Sequence, residues 1–275
     1  MPHPSIVSPV YGALFLLPEG LSSGNCWYNI MPTAHFRFHD TLNFFLPRAS
    51  KDRLINHDYE GRVSVKDMIE SLGVPHPEIE MIVINGRSVD FNTLVQHGAS
   101  INVYSIAFVP QIANPEPLRL PYPERPKFIL DQHLGRLAAY LRMMGFDTLY
   151  RNDYHDEELA QVSHDETRIL LTRDIGLLKR SAVIYGYFVR ETNRHKQLAE
   201  ITTRYQLKDQ VIPFSRCMKC NGLVEDVARE SIEDQLPEGT ARYYATFHRC
   251  TSCGQIYWKG AHHQRMQALL NEVLK

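Results

Sequence analysis

An excess of either charge is missing from this chain: 30 Lys and Arg against 31 Asp and Glu leave a net charge of −1 over 275 residues. No global basic field marks it as a coat for nucleic acid, so any contact with phosphate must be local. Long hydrophobic runs are also missing, and no segment reads as a membrane span. The short apolar stretch Tyr11–Pro18 has no cationic region before it, which argues against a secretory signal. Cysteine is scarce, with five residues, and four of them cluster near the C-terminus. That usage fits a reducing, cytoplasmic compartment. No internal repeat of solenoid length is found, and no low-complexity tract beyond one proline-rich stretch. What remains is an ordinary globular composition, 44% apolar and 22% charged, in a chain long enough for two or three modest domains.

The clustered cysteines form two C-x-x-C pairs, Cys217 with Cys220 and Cys250 with Cys253, separated by 29 residues. Each pair is spaced to place two thiolates on one metal from a tight knuckle. The interval is long enough for a small β excursion that returns the second knuckle to the first. Four thiolates in this arrangement match a closed tetrahedral zinc site, which is structural rather than catalytic. The competing reading is two separate thiol pairs or disulfides. The fifth cysteine, Cys26, stands in an uninformative N-terminal stretch.

Six prolines between Val109 and Pro126 block both helix and central strand, and predict a semi-rigid linker over 109–126. Residues 1–33 read as a disordered tail. Residues 34–108 read as a compact α+β unit. His35–Leu46 is strand-like, and Ser64 opens a helix with Asp67 three residues on, a capping box. Val65, Met68, Ile69 and Leu72 share one face, and Gly73 stops the helix. Met81–Ile84, the turn Asn85-Gly86 and Val89–Phe91 read as a hairpin, and Ile101–Ala107 as a last strand. This is the element order of a β-grasp fold. Beyond the linker, strands and helices alternate. The strands fall at Lys127–Leu130, Thr148–Arg151, Arg168–Thr172 and Ala182–Val189; the helices begin near Leu134, Asp156, Leu177 and Arg194. That alternation predicts a parallel sheet with helices on both faces over 127–210, followed by the metal-binding segment and a C-terminal helix over 211–275.

Asp131 and Asp174 each stand where a strand gives way to a helix, and Asp156 opens the helix after the second strand beside Asp153, Glu157 and Glu158. Strands of a parallel sheet share one C-terminal edge, where open α/β sheets bind ligands. Carboxylates gathered there repel unless a cation intervenes, and magnesium or manganese is the natural partner. The chemistry this suits is hydrolysis of a phosphodiester, with Arg136, Arg142 and Arg173 placed to hold the substrate backbone. The competing reading is that the aspartates are helix N-caps and nothing more. Around the second knuckle, Tyr243, Tyr244, Phe247, Tyr257 and Trp258 interleave with Arg242, Arg249 and Lys259. Such a set either clamps single-stranded nucleic acid or forms the core of a small domain.

Three stretches carry a resemblance. Phe128–Thr148 (F-I-L-D-Q-H-L-G-R-L-A-A-Y-L-R-M-M-G-F-D-T), Arg168–Asp174 (R-I-L-L-T-R-D) and the paired knuckles followed by Y-W-K-G-A-H at Tyr257–His262 resemble the Mut-seven C-terminal RNase family. The likeness spans roughly residues 126–272. It implies a PIN-like nuclease domain with a zinc ribbon, a metal-dependent RNase activity, and Asp131 and Asp174 as ligands of a catalytic magnesium or manganese. Asp156 is the matching middle acid, and Glu191 is the nearest candidate for a fourth. Val65–His76 and Val83–Phe91 resemble the ubiquitin-like domain that precedes this RNase domain in relatives. The last strand here runs into Ala107-Phe108-Val109-Pro110 rather than a free Gly-Gly end, so docking of a protein partner is expected in place of sulfur-carrier chemistry. The alternative to an RNase is a non-catalytic RNA- or ribosome-binding adaptor with a degenerate nuclease domain.

Overall fold

The first strand, β1 (Thr33–Phe38), alternates inward Phe36 and Phe38 with outward Arg37, the period-two pattern of a half-buried strand. The computed structural model describes residues 31–275. Most of the tail expected over 1–33 lies outside them, as does Cys26, while Thr33 already belongs to β1. The strand stops at Phe38 instead of running to Leu46. Asp40 turns the chain with φ at +50°, and Asp40–Phe45 curls into a 3-10 helix. Buried Asn43 fixes this turn, donating to Phe38 O at 3.0 Å and accepting from Asp52 N at 2.8 Å.

Strand β2 (Ile55–Asp58), helix α1 (Val65–Ser71), β3 (Met81–Ile84), β4 (Arg87–Val89) and β5 (Ser100–Tyr104) complete this part. Its sheet has the order β2-β1-β5-β3-β4, with β1 and β5 parallel at the centre and the other pairs antiparallel. Ser64 caps α1 as its box predicts, accepting from Asp67 N at 3.1 Å; the reciprocal bond goes from the Ser64 hydroxyl to the Asp67 carboxylate at 2.7 Å. Asn85 and Gly86 both take positive φ, +50° and +82°, which closes the tight β3–β4 hairpin. Met68 and Ile69 of α1 pack with Phe36, Ile82 and Ile101 in one core. This is the β-grasp arrangement.

The second sheet is wholly parallel. Strands β6 (Phe128–Leu130), β7 (Thr148–Tyr150), β8 (Ile169–Thr172) and β9 (Gly186–Phe188) lie in the order β7-β6-β8-β9. Helices α2 (Gly135–Met143), α3 (Asp156–Asp165), α4 (Ile175–Leu178) and α5 (Arg194–Arg204) connect and follow them. Phe128 and Leu130 of β6 face one core with Leu137 and Leu141 of α2 and Leu198 and Ile201 of α5; Ile129 faces the other with Leu159 of α3 and Leu177 of α4. Burial on both faces explains why these strands are apolar throughout. After α2 the chain reverses at Gly145, at φ +92°, where a Cβ would stand 2.4 Å from Ile212 O.

The third sheet is the antiparallel set β10 (Val224–Val227), β11 (Phe247–Cys250) and β12 (Ile256–Trp258), with the short helix α6 (Thr240–Tyr243) in the excursion between β10 and β11. Helix α7 (Ala261–Val273) then returns to the core of the parallel sheet through Leu269 and Leu270.

The proline-rich segment, expected as a spacer, is fastened along its length. Leu118 packs against the β-grasp core and Tyr122 against the core of the parallel sheet. Arg119 donates to Ile79 O at 2.7 Å and to the Glu80 carboxylate at 2.9 Å. Pro32–Lys275 accordingly forms one compact unit. The β-grasp part covers the exposed edge of β9: Glu78 accepts from Phe188 N at 2.7 Å and pairs with Arg190 at 2.8 Å. Phe44 and Phe45 lie against Phe188, and the Arg190 guanidinium stacks over both Phe44 and Phe45. The Glu78 side chain is only 3% exposed, so Glu78→Ala removes the carboxylate partner of the half-buried Arg190 guanidinium and of the Phe188 amide. Denaturant unfolding is expected to show a loss of about 3–5 kcal/mol; a loss below about 1 kcal/mol would mean water replaces the carboxylate there.

Candidate functional site

The C-terminal ends of β6 and β8 bring two of the three aspartates together. Asp131, 8% exposed, follows β6 directly, and its Oδ2 accepts from the Thr172 hydroxyl at 2.9 Å. That same Thr172 oxygen accepts from Asp174 N at 2.9 Å. One hydroxyl at the end of β8 therefore joins both acidic positions. Both residues also cap helical turns. Asp131 Oδ1 accepts from Gln132 N at 2.5 Å, and Asp174 Oδ1 from Gly176 N and Leu177 N at 2.6 and 3.2 Å. Asp174 Oδ2 carries no hydrogen bond among the described residues.

Asp156 lies elsewhere on this edge. It opens α3 and faces Arg180 at 3.8 Å, which Glu157 also approaches at 3.8 Å. These residues line a depression of about 550 Å³ together with Gln132, Asn152 and Tyr154. Arg151 is held by Asp153 at 3.0 Å and Glu158 at 3.2 Å. Among the described residues, only the four cysteines gather three or more potential ligand atoms within 4.8 Å of one another. Asp131, Asp156 and Asp174 do not make such a group. Thr172 meets the carboxylate of Asp131 but the backbone amide of Asp174; a hard divalent cation such as magnesium keeps several waters and needs only one or two carboxylates.

The three arginines separate sharply. Arg136, on the first turn of α2, is exposed and has no partner among the described residues. Arg142 was expected to hold substrate; instead it is 5% exposed and braces the interior, donating to Thr148 O at 2.8 Å, Met218 O at 3.2 Å and Lys219 O at 3.1 Å. Arg173 is held through one nitrogen, its Nη1 donating to the carbonyls of Val189, Arg190 and Glu191 at 2.7, 3.0 and 2.8 Å. Their distant carbonyl partners, invisible to spacing, decide both cases. Arg142→Ala is expected to lose about 1–3 kcal/mol for the carbonyls left unpaired with little change in RNA affinity, and Arg136→Ala to do the reverse. Melting curves and oligonucleotide titrations of the two variants check the contrast. Glu191 lends its backbone to this corner: its N–H goes to Glu200, which also takes the Tyr187 hydroxyl and Arg190 N. No local pattern marks Glu200, or the link that Thr172 makes between the two aspartates. The Thr two positions before Asp174 in R-I-L-L-T-R-D was the one available signal for Thr172.

At the knuckles, Cys217 and Cys253 Sγ lie 3.6 Å apart and Cys220 and Cys250 Sγ 3.4 Å apart. A tetrahedron with Zn–S bonds of about 2.3 Å has edges of about 3.8 Å, so the four thiols fit a metal ion such as zinc. Burial opposes ionisation of Cys250, but the amides of Cys253 and Ser252 outweigh it and hold the thiol down at about 7. Desolvation, with the neighbouring thiols, pushes Cys220 up to about 12. Burial and the adjacent Cys217 push Tyr257 up as well, keeping its phenol a donor to Cys217 Sγ at 3.0 Å. Asn221, in the first knuckle at φ +73°, accepts from Thr148 N at 3.0 Å and donates to Asp147 at 2.8 Å. Burial works against the Asp147 charge, yet bonds from Arg168 and Asn221 hold its carboxyl below the usual range. The knuckle is thereby stapled to strand β7.

A parallel α/β sheet with acidic residues at its C-terminal edge is thus followed by a four-cysteine ribbon and preceded by a β-grasp part. The Mut7-C RNAse domain family matches residues 126–270, and the Mut7-C ubiquitin family matches residues 31–109. The chain belongs to the Mut7-C RNase family, with its ubiquitin-like domain N-terminal to the nuclease domain. No curated protein and no solved structure matches the chain. No helix among the described residues is long and apolar enough to cross a membrane.

Proposed function

We propose that this chain is a cytoplasmic ribonuclease that hydrolyses RNA phosphodiester bonds at the C-terminal edge of its parallel sheet with a bound magnesium or manganese ion. The observation that supports it most is the joining of Asp131 and Asp174 through Thr172, at the edge where open α/β sheets take ligands, in a chain of an RNase family. Asp131 and Asp174 hold the cation, and Asp156 is the third acid of the same edge. When bound, such an ion polarises a phosphoryl oxygen and lowers the pKa of attacking water. Arg136, free and exposed, takes a substrate phosphate. Cys217, Cys220, Cys250 and Cys253 hold a structural zinc. The functional parts are a ubiquitin-like docking part over 34–108, the segment 109–126, the catalytic part over 127–210 and the ribbon with its helix over 211–275. A protein partner docks on the part of the β-grasp surface not turned toward β9.

One observation favours a second reading, a non-catalytic RNA- or ribosome-binding adaptor: the aspartates are spent on helix starts and Asp156 on Arg180. End-labelled single-stranded RNA incubated with the zinc-loaded chain separates the two. Shortened products that require added magnesium or manganese support the nuclease; RNA bound but recovered whole under every divalent condition supports the adaptor.

A further inference from the structure

A groove of about 880 Å³ runs between α2 and the ribbon, from Arg136 to the first turn of α7. It is larger than the depression beside Asp156, and no Asp or Glu lines it. In a chain of net charge −1, a concavity lined by Arg136, Arg216, Lys219 and Lys259 without an acid among its lining residues is a local excess of cationic side chains. Three of its cations, Arg136, Lys219 and Lys259, are exposed, with side chains free of partners among the described residues. Arg216 and His248 also line it but are already engaged, Arg216 with Asn221 O and His248 with Asp226. The excess acts on a neighbour: burial, then Lys259 and His248, pull the His263 imidazole below its ordinary value.

Aromatic faces alternate with these cations. Tyr244 and Trp258 are half-buried in the groove wall with ring centroids 6.4 Å apart and planes inclined at 44°. Phe214 and His263, which also line the groove, form a second ring pair 4.3 Å apart. Aromatic platforms spaced among unpaired cations suit a single nucleic-acid strand, whose bases stack while its phosphates pair. An acidic peptide would use the cations but leave the rings without a matching group. Arg136 sits five residues after Asp131, so the α2 end of the groove opens toward the carboxylate edge.

We infer that this groove is a track for single-stranded RNA, with bases stacked on Tyr244 and Trp258 and phosphates held by Arg136, Lys219 and Lys259. The choice of RNA rests on the ribonuclease reading; the groove's geometry does not. The track feeds a strand from the zinc ribbon past α2 toward Asp131 and Asp174, so the ribbon supplies substrate contacts as well as rigidity.

The test is fluorescence anisotropy of a labelled short oligouridine with the full zinc-loaded chain, in buffer without magnesium or manganese, over a salt series. Trp258→Ala is expected to weaken binding about tenfold or more with an unchanged salt slope, and Trp258→Phe to keep most of the affinity. Lys219→Ala and Lys259→Ala are each expected to lower the slope of log K against log salt by about 0.7. Retained zinc in every variant reports an intact ribbon. Wild-type affinity and slope in the Lys219→Ala, Lys259→Ala double variant overturn the track. So does polyglutamate that binds as tightly as RNA and loses affinity equally in the variants, which would assign the groove to an acidic protein segment. Because the binding buffer holds no magnesium or manganese, a chain that binds in the groove yet never cuts when either is added supports the track and sinks only the nuclease reading. A chain that cuts but binds indifferently to these variants does the opposite.

Discussion

Asp131→Asn and Asp174→Asn are each expected to lower divalent-dependent RNA cleavage by about a thousandfold or more, equivalent to about 4 kcal/mol of barrier, with melting temperature and zinc content unchanged. Asparagine is the instructive substitution because it caps a helix as well as aspartate does. In the Asp131→Asn variant the new amide oxygen still accepts from Gln132 N. In the Asp174→Asn variant it still accepts from Gly176 N and Leu177 N, the bonds that the carboxylates now make. In the Asp131→Asn variant an amide nitrogen also replaces the Oδ2 that accepts from the Thr172 hydroxyl; apart from that bond, the negative charge, which a cation needs, is what the two variants lose. If capping is all these residues do, the two variants are indistinguishable from the parent in every assay. Alanine would blur this contrast, since losing a cap costs about 0.5–2 kcal/mol by itself. Asp156→Asn is expected to act more weakly than either, because its carboxylate faces Arg180 rather than the Thr172 hydroxyl.

Cys217→Ser or Cys250→Ser is expected to abolish tight zinc binding and unfold the ribbon, and the damage should not stop there. Structural zinc contributes about 10–16 kcal/mol of binding energy in small zinc-dependent folds, comparable to the whole stability of many domains. Here the first knuckle also holds the edge of the parallel sheet. Asn221 accepts from Thr148 N of β7, and Arg142 ties Thr148 O to Met218 O and Lys219 O. Loss of the metal releases those partners, so hydrogen exchange at the Thr148 amide should rise to the rate of the ribbon itself. The β-grasp core, built on Phe36, Ile82 and Ile101 away from the knuckles, should keep its protection. Metal analysis and residue-resolved exchange measure both effects. Thr148 protection unchanged in a zinc-free variant would show that β7 stands without the staple.

What could be read before the fold was known is what is encoded within a few residues of itself. Ser64 and Asp67 announce the start of α1, Asn85-Gly86 the hairpin, and the C-x-x-C spacing the knuckles, because each is a local geometric device. The alternation after residue 127 gives the parallel sheet, since β6 and β8 are apolar on both faces. The strand boundary at Phe38 was missed because its cause is Asn43, a polar residue whose burial depends on Asp52. The three arginines looked alike in sequence, and only Arg136 remains free. Arg142 and Arg173 are claimed by carbonyls as far as 77 and 18 residues away. The places of Asp131 after β6 and of Asp174 at the start of α4 follow from the strand ends that the sequence marks. The inclusion of Asp156 was not decided by sequence, because Arg180 reaches it from beyond a different strand. The Glu78–Arg190 pair, separated by 112 residues, lay outside any local pattern, and it helps turn an expected spacer arrangement into a packed interface.

The most direct test is crystallographic. Crystals of the zinc-loaded chain soaked in manganese should show an anomalous peak bonded to a carboxylate oxygen of both Asp131 and Asp174, at a distance of roughly 2 Å as for a hard six-coordinate ion. Manganese absent from that edge, with both aspartates still bound only to their capped amides and to Thr172, would contradict the account and leave the adaptor standing.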